Sequence, residues 1–246
     1  MMGIRRWGAR WLAALAAAVS IAAHAPVTAL AQEPAAPAAA RIVINVPSRT
    51  LTLYAGDRVS RVYPVGVGQR RWPTPLGRWR ILEKVVNPTW GYPYNDYKGS
   101  LPVIPPGPRN PLGTRWMGFT PEEHGIHGTN QPGTVGKVVS HGCVRMRMKD
   151  AEELFELVAV GTPVEVRHDT VRVKVDAGRG WIWAAAYPDV YGKGRASRAR
   201  LNAEVRRQGI RAALSEGAVR RLLARRDGRF YVVGRLAAPD QARSSH

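Results

Sequence analysis

One cysteine and one upstream histidine carry the chemistry this chain could do. The sole cysteine, Cys143, lies in Ser140-His141-Gly142-Cys143-Val144-Arg145-Met146, and His127 lies sixteen residues before it in Gly125-Ile126-His127-Gly128-Thr129. A lone thiol cannot close an internal disulfide, which leaves reaction, ligation, an intermolecular bond or packing. As thiolate it attacks carbonyls. An ordinary thiol titrates near ~8.5 and needs an imidazole or a positive field to ionise at neutral pH. His127 is the candidate to take the thiol proton and return one to a leaving amine. The Gly128 carbonyl and the Thr129 hydroxyl are the nearby groups that could hold its ring in one tautomer. Backbone N–H groups of Gly142 and Cys143 are candidate oxyanion donors, because glycine lets the backbone come close to substrate. Two residues along an extended segment, Arg145 projects to the same face as Cys143 and could hold a substrate carboxylate.

Other readings compete. His124-x-x-His127 with His141-x-Cys143 offers four nitrogen and sulfur ligands of the kind zinc accepts. Those spacings match no common zinc pattern, and Gly142 between two ligands suits an oxyanion loop better, so neither metal nor cofactor is assigned. A non-enzymatic wall-binding protein would use its basic tail and keep the cysteine segment as packing. Nucleic-acid binding has only charge in its favour, since the tail lacks interleaved aromatics.

The N-terminus reads as an export signal. Arg5, Arg6 and Arg10 precede an apolar stretch from Trp11 to about Ala23, and Ala29-Leu30-Ala31 offers small residues for cleavage before Gln32. Residues 1–31 are therefore expected to be a signal peptide and the mature protein periplasmic. In an oxidising compartment an unpaired thiol is a liability unless it is buried or has work to do. Formal charge is +19 and uneven. Residues 169–246 hold 17 Lys and Arg against 7 Asp and Glu, a net +10, whereas residues 41–168 hold 17 against 10, a net +7. Such a tail calls for an anionic partner, a wall polymer or acidic lipid outside the cytoplasm.

Several elements must position the cysteine and histidine. Residues 32–40 form a Pro/Ala linker without core-forming potential. Strand-like runs follow at Ile42–Val46, Thr50–Tyr54, Arg58–Val67 and Arg78–Val86, a spacing that predicts a twisted β structure rather than βαβ units. Residues 87–118, rich in Pro, Gly, Asn and Trp, read as a long functional loop, with 91–118 as the lid or substrate wall. Asp150 with Glu153 looks like a helix N-cap, Leu154, Phe155, Leu157 and Val158 share one face, and Gly161 with Pro163 ends that short helix. Beyond residue 168 two strands, Val171–Val175 and Trp181–Ala185, precede a helical stretch from Ser197 that breaks near Gly209 and Gly217, and Arg229–Val233 reads as a last strand.

These residues resemble a known family. His127-Gly128-Thr129-Asn130 and Ser140-His141-Gly142-Cys143-Val144-Arg145-Met146, with the twelve residues Gly128–Val139 between His127 and Ser140, look like the signature of the L,D-transpeptidases (YkuD domain). Thr74-Pro75-Leu76-Gly77, Asn87-Pro88-Thr89-Trp90 and the run Pro106–Gly113 resemble it too, over about residues 41–168. Ala186-Tyr187-Pro188-Asp189-Val190-Tyr191-Gly192 is similar to the segment just after the domain in Gram-negative, ErfK-like envelope members. The resemblance implies a mainly β, sandwich-like catalytic domain with one short helix after the nucleophile. To this the sequence adds a small α+β C-terminal extension, 169–246. The resemblance also implies a thioester mechanism on peptidoglycan stem peptides. Cys143 would be nucleophile, His127 general acid/base and Gly128 the orienting carbonyl, with Ser140, His141, Gly142 and Arg145 shaping or binding residues. The acceptor could be a stem-peptide amine, a free D-amino acid or an envelope protein; water would make a carboxypeptidase. Carbapenem modification of Cys143 is a corollary.

Overall fold

A computed structural model describes residues 39–91, 103–122 and 124–237. The expected leader, nearly all of the Pro/Ala linker and the middle of the 91–118 loop lie outside the described residues.

Alternating apolar residues give β1 (Ala40–Asn45), β2 (Thr50–Ala55) and β3 (Arg58–Pro64), an antiparallel meander, with Gly56 at φ +57° turning β2 into β3. After β4 (Val67–Gly68), the run expected as one strand over Arg78–Val86 is two, β5 (Gly77–Arg80) and β6 (Glu83–Val86), in different sheets. The crossing falls at buried Ile81, whose N–H bonds Thr162 O, and Leu82, whose N–H bonds Gly118 O. Within the Pro/Gly-rich stretch lie the short β7 (Trp90–Gly91) and β8 (Val103–Ile104), then β9 (Arg115–Gly118), so this region is less irregular than its composition suggests. β10 (Gly125–His127), β11 (Val138–Ser140) and β12 (Val144–Arg145) lead into α1 (Met148–Leu157) and β13 (Pro163–Arg167). α1 starts ahead of the expected cap. Arg147 is its N-cap residue, and Asp150 sits in the first turn, where a carboxylate favours the helix dipole instead of capping.

Two sheets sandwich one core. One has the order β3-β2-β1-β13-β5, with β1 and β13 parallel; the other is β12-β10-β9-β6. Ile42, Ile44, Leu51 and Val164 pack with Met117, Ile126 and Val144, and Leu154 and Phe155 of α1 close the core. The fold is mainly β, as the resemblance implied.

Further along, β14 (Val171–Asp176), β15 (Trp181–Ala186), β16 (Ala212–Leu214) and β17 (Tyr231–Leu236) form a sheet ordered β14-β15-β17-β16. α2 (Arg198–Arg207) and α3 (Glu216–Arg225) pack on it around Ile182, Leu201, Leu222 and Val233. Ser197 and Ser215 each cap a helix through the side-chain oxygen, so the single helical stretch expected from Ser197 divides around β16, and Gly217 lies inside α3 rather than breaking it. Tyr191 belongs to the first core although it lies in the extension. No helix among the described residues is long and apolar enough to cross a membrane.

Candidate active site

Cys143 stands one residue ahead of β12. Strand β12 runs parallel to β10, with Ile126 opposite Val144 and His127 opposite Arg145. One step back, Cys143 is level with Gly125. Side chains two residues apart on a strand share a face, so Cys143, Arg145 and His127 all rise from one side of this sheet. Strand geometry sets the Cys143–His127 diagonal at about 7 Å between backbones, within reach of a side chain as long as an imidazole.

The loop before Cys143 is tied down by its own residues. Ser140 Oγ donates to the Cys143 carbonyl at 2.5 Å and accepts the Gly142 N–H at 3.2 Å. Gly142 has φ +113°, and a Cβ there would lie 2.5 Å from the His124 ring. Both conformation and space therefore require glycine. The sequence offered Gly142 N–H as an oxyanion donor; here that N–H is turned onto Ser140. Gln69 N–H binds the Ser140 carbonyl at 2.9 Å, and exposed His141 lies against Trp72 with ring centroids 4.2 Å apart.

His127 is buried, and its Nδ1 bonds the Gly128 carbonyl. A carbonyl only accepts, so Nδ1 carries the proton and Nε2 keeps the lone pair. Thr129, the other group offered for this task, instead accepts the Gln131 N–H at 3.1 Å. Trp116, directly opposite His127 on β9, stacks on its ring at 5.8 Å and 28°. Gly128 also makes room: a Cβ there would meet Met148 Sδ at 2.9 Å.

Electrostatics leave both reactive groups uncharged at rest. Burial pushes the Cys143 thiol above its ordinary value, while a hydrogen bond with the Gly125 backbone and the Arg145 charge pull it partly back. Burial, aided by Arg145 and opposed by the Gly128 bond, lowers His127 to about 4. From the sequence, a neighbour that ionises the thiol in advance was expected. The site instead pairs a neutral thiol with a neutral imidazole, because both sit where charge is poorly solvated.

Sequence reasoning did not find Trp116 or Glu83, and it weighed His124 only as a metal ligand. His124 Nδ1 lies 3.0 Å from Thr120 Oγ1, and its ring backs Gly142. A cavity of ≈ 280 Å³ lined by Glu83, Val85, Trp90, Leu112 and Trp116, among others, reaches Cys143. No group of three or more His, Cys, Asp or Glu residues suited to a metal ion occurs among the described residues.

The fold and site define a mainly β protein built around a cysteine–histidine pair. Comparison with known proteins narrows the class. The family model of the L,D-transpeptidase catalytic domain (YkuD) matches residues 39–166. The putative L,D-transpeptidase YkuD of Bacillus licheniformis is 35% identical over 126 residues, covering 51% of this chain and 64% of that protein. Escherichia coli's probable L,D-transpeptidase YbiS is 37% identical over 145 residues, covering 55% and 47%. In solved structures, L,D-transpeptidase 3 from Mycobacterium tuberculosis aligns with a TM-score of 0.45 at 20% identity, over 54% of this chain and 62% of that one. The chain thus spans 64% or 47% of the length of these two relatives. It belongs to the L,D-transpeptidase (YkuD) catalytic domain family.

Proposed function

We propose that this protein is a peptidoglycan L,D-transpeptidase of the cell envelope, exported by its N-terminal leader. The observation that carries the reading is the β10/β12 register, which raises Cys143 and His127 from one face while Gly128 fixes the imidazole tautomer. Cys143 Sγ attacks the carbonyl between a stem-peptide diamino acid and the terminal D-Ala. His127 Nε2 takes the thiol proton during attack, because neither group is charged beforehand. The Cys143 N–H leads the oxyanion donors, with Gly142 N–H joining it when it leaves Ser140. Collapse of the intermediate breaks the C–N bond, His127 protonates the departing amine, and D-Ala leaves a thioester. An amine acceptor then attacks that thioester, gives a proton to His127 and forms a new amide as the C–S bond breaks and the Cys143 thiol is restored; the amine belongs to a second stem, a free D-amino acid or an envelope protein. Arg145, on the nucleophile's face, holds a carboxylate of the substrate, and Ser140 and His141 shape the loop. The basic residues 169–246 hold the protein on an anionic wall or membrane polymer.

Purified protein incubated with disaccharide-tetrapeptide and followed by mass spectrometry should release D-Ala, and a carbapenem should add its mass at Cys143. Cys143→Ala should do neither. Turnover surviving in that variant, or a wild-type protein inert to both reagents, defeats the reading. Water outcompeting every amine would make it a carboxypeptidase instead.

A further inference from the structure

Two rows of residues cross the sheet that bears the nucleophile. In one, Val85 faces Trp116, Trp116 faces His127, and His127 faces Arg145. In the other, Glu83 faces Gly118, Gly118 faces Gly125, and Gly125 is level with Cys143. Two glycines in succession leave a floor without side chains between Glu83 and the thiol. Neighbours occupy that floor in a particular way. A Cβ at Gly118 would stand 2.9 Å from Glu83 Cγ, and one at Gly125 would stand 2.4 Å from the Trp116 ring. Glu83 therefore lies across Gly118, where its Oε1 accepts the Trp116 indole N–H at 2.8 Å. The cavity over this floor reaches Cys143, and among its described lining residues Glu83 is the one with an acidic or basic side chain. A carboxylate at that place runs against the charge of a chain carrying +19.

The geometry points to Glu83 as the residue that selects the acyl donor, by binding the free side-chain ammonium of its diamino acid. This rests on the proposed transpeptidase reading and adds to it the feature of the substrate that is read. The dimensions agree. The Glu83 carboxylate lies over β9, two strands from Cys143, and strands stand about 4.8 Å apart, so the span is about 10 Å. A diamino acid whose carbonyl carbon has joined the sulfur places its far nitrogen roughly 7 Å further along the extended side chain, and a hydrogen bond of about 2.8 Å completes the distance. Trp116 fixes the carboxylate by its N–H, and its indole with that of Trp90 supplies aromatic wall for the methylenes and the cation. Arg145, at the far end of the other row, repels an ammonium placed there, which gives the peptide one direction in the trough.

The test is binding to Cys143→Ala, which cannot turn substrate over. A tetrapeptide with a free diamino-acid side chain is compared with the same peptide acetylated on that nitrogen, by calorimetry at low salt. The free amine should bind about fivefold tighter, the scale of a partly solvated, charge-assisted contact. Adding Glu83→Gln, which keeps an oxygen for the Trp116 N–H, should bring the ratio to about one, and Glu83→Lys should invert it. An equal ratio before and after Glu83→Gln overturns the inference. So does a charge effect confined to the acceptor amine, read by acceptor competition with the wild-type protein. D-Ala release by the wild type, measured alongside, reports on the transpeptidase reading separately.

Discussion

Reactivity of Cys143 should climb steadily with pH through neutrality. Burial raises the thiol above its ordinary value, and the Gly125 backbone and Arg145 recover only part of the shift. His127 titrates at about 4. At pH 7 such an imidazole is cationic in about one molecule in a thousand, and a thiol raised above its ordinary value is almost wholly protonated. A resting thiolate–imidazolium pair is therefore essentially unpopulated, and the proton must move as the sulfur attacks. Alkylation by iodoacetamide, followed by intact mass from pH 5.5 to 9, measures thiolate directly. The rate constant should rise about tenfold per unit between pH 6 and 8, without a plateau. Arg145→Ala should move the curve to still higher pH, since it removes a charge that favours thiolate. A plateau already present at pH 6, abolished by His127→Ala, would establish an ion pair and refute the argument from burial.

Two further outcomes concern buried groups. Folded His127 takes its proton only near pH 4, whereas the unfolded chain takes it near ~6.5, so unfolding binds a proton in that window and stability falls as pH drops. Denaturant titrations should show about 3 kcal/mol lost from this group between pH 6.5 and 4, and a His127→Gln variant with the same slope would contradict the assignment. Tyr191 Oη donates to the Gly68 carbonyl at 2.8 Å and accepts the Thr74 N–H at 3.0 Å. Tyr191→Phe strands both buried groups and should cost about 2–4 kcal/mol, read as a lower thermal midpoint; an unchanged midpoint would show that solvent replaces the hydroxyl.

How much of this was legible depends on whether a property is local. The strands of the first meander and the helix after Cys143 follow from residues a few positions apart, and they form close to where the pattern puts them. β9 was hidden because its four residues, Arg-Trp-Met-Gly, follow a run of prolines and glycines and show no repeated alternation. Arg78–Val86 read as one strand because a change of sheet at Ile81 leaves no turn residue behind. Within the site, the motif residues were visible by type and spacing. Trp116 and Glu83 were not, because cross-strand register decides which residues stand beside His127 and Gly118, and a slip of one residue would have reversed every face.

The same distinction bears on the C-terminal extension. A boundary at residue 168 divides the sequence by charge and similarity, yet Tyr191 crosses it into the first core. Its hydroxyl joins Gly68 and Thr74, Gly68 N–H bonds Thr74 Oγ1 at 2.9 Å, and Gly68 pairs with Ser140 between β4 and β11. Ser140 in turn binds the backbone of Gly142 and Cys143. Four residues thus connect the extension to the Cys143 loop. A loop that must hold Gly142 at φ +113° against His124 gains from such bracing, because glycine supplies the conformation but nothing to keep it there. Beside the proposed hold of its basic residues on an anionic polymer, the extension thus braces the site through Tyr191, two tasks that charge counting alone would have merged into one.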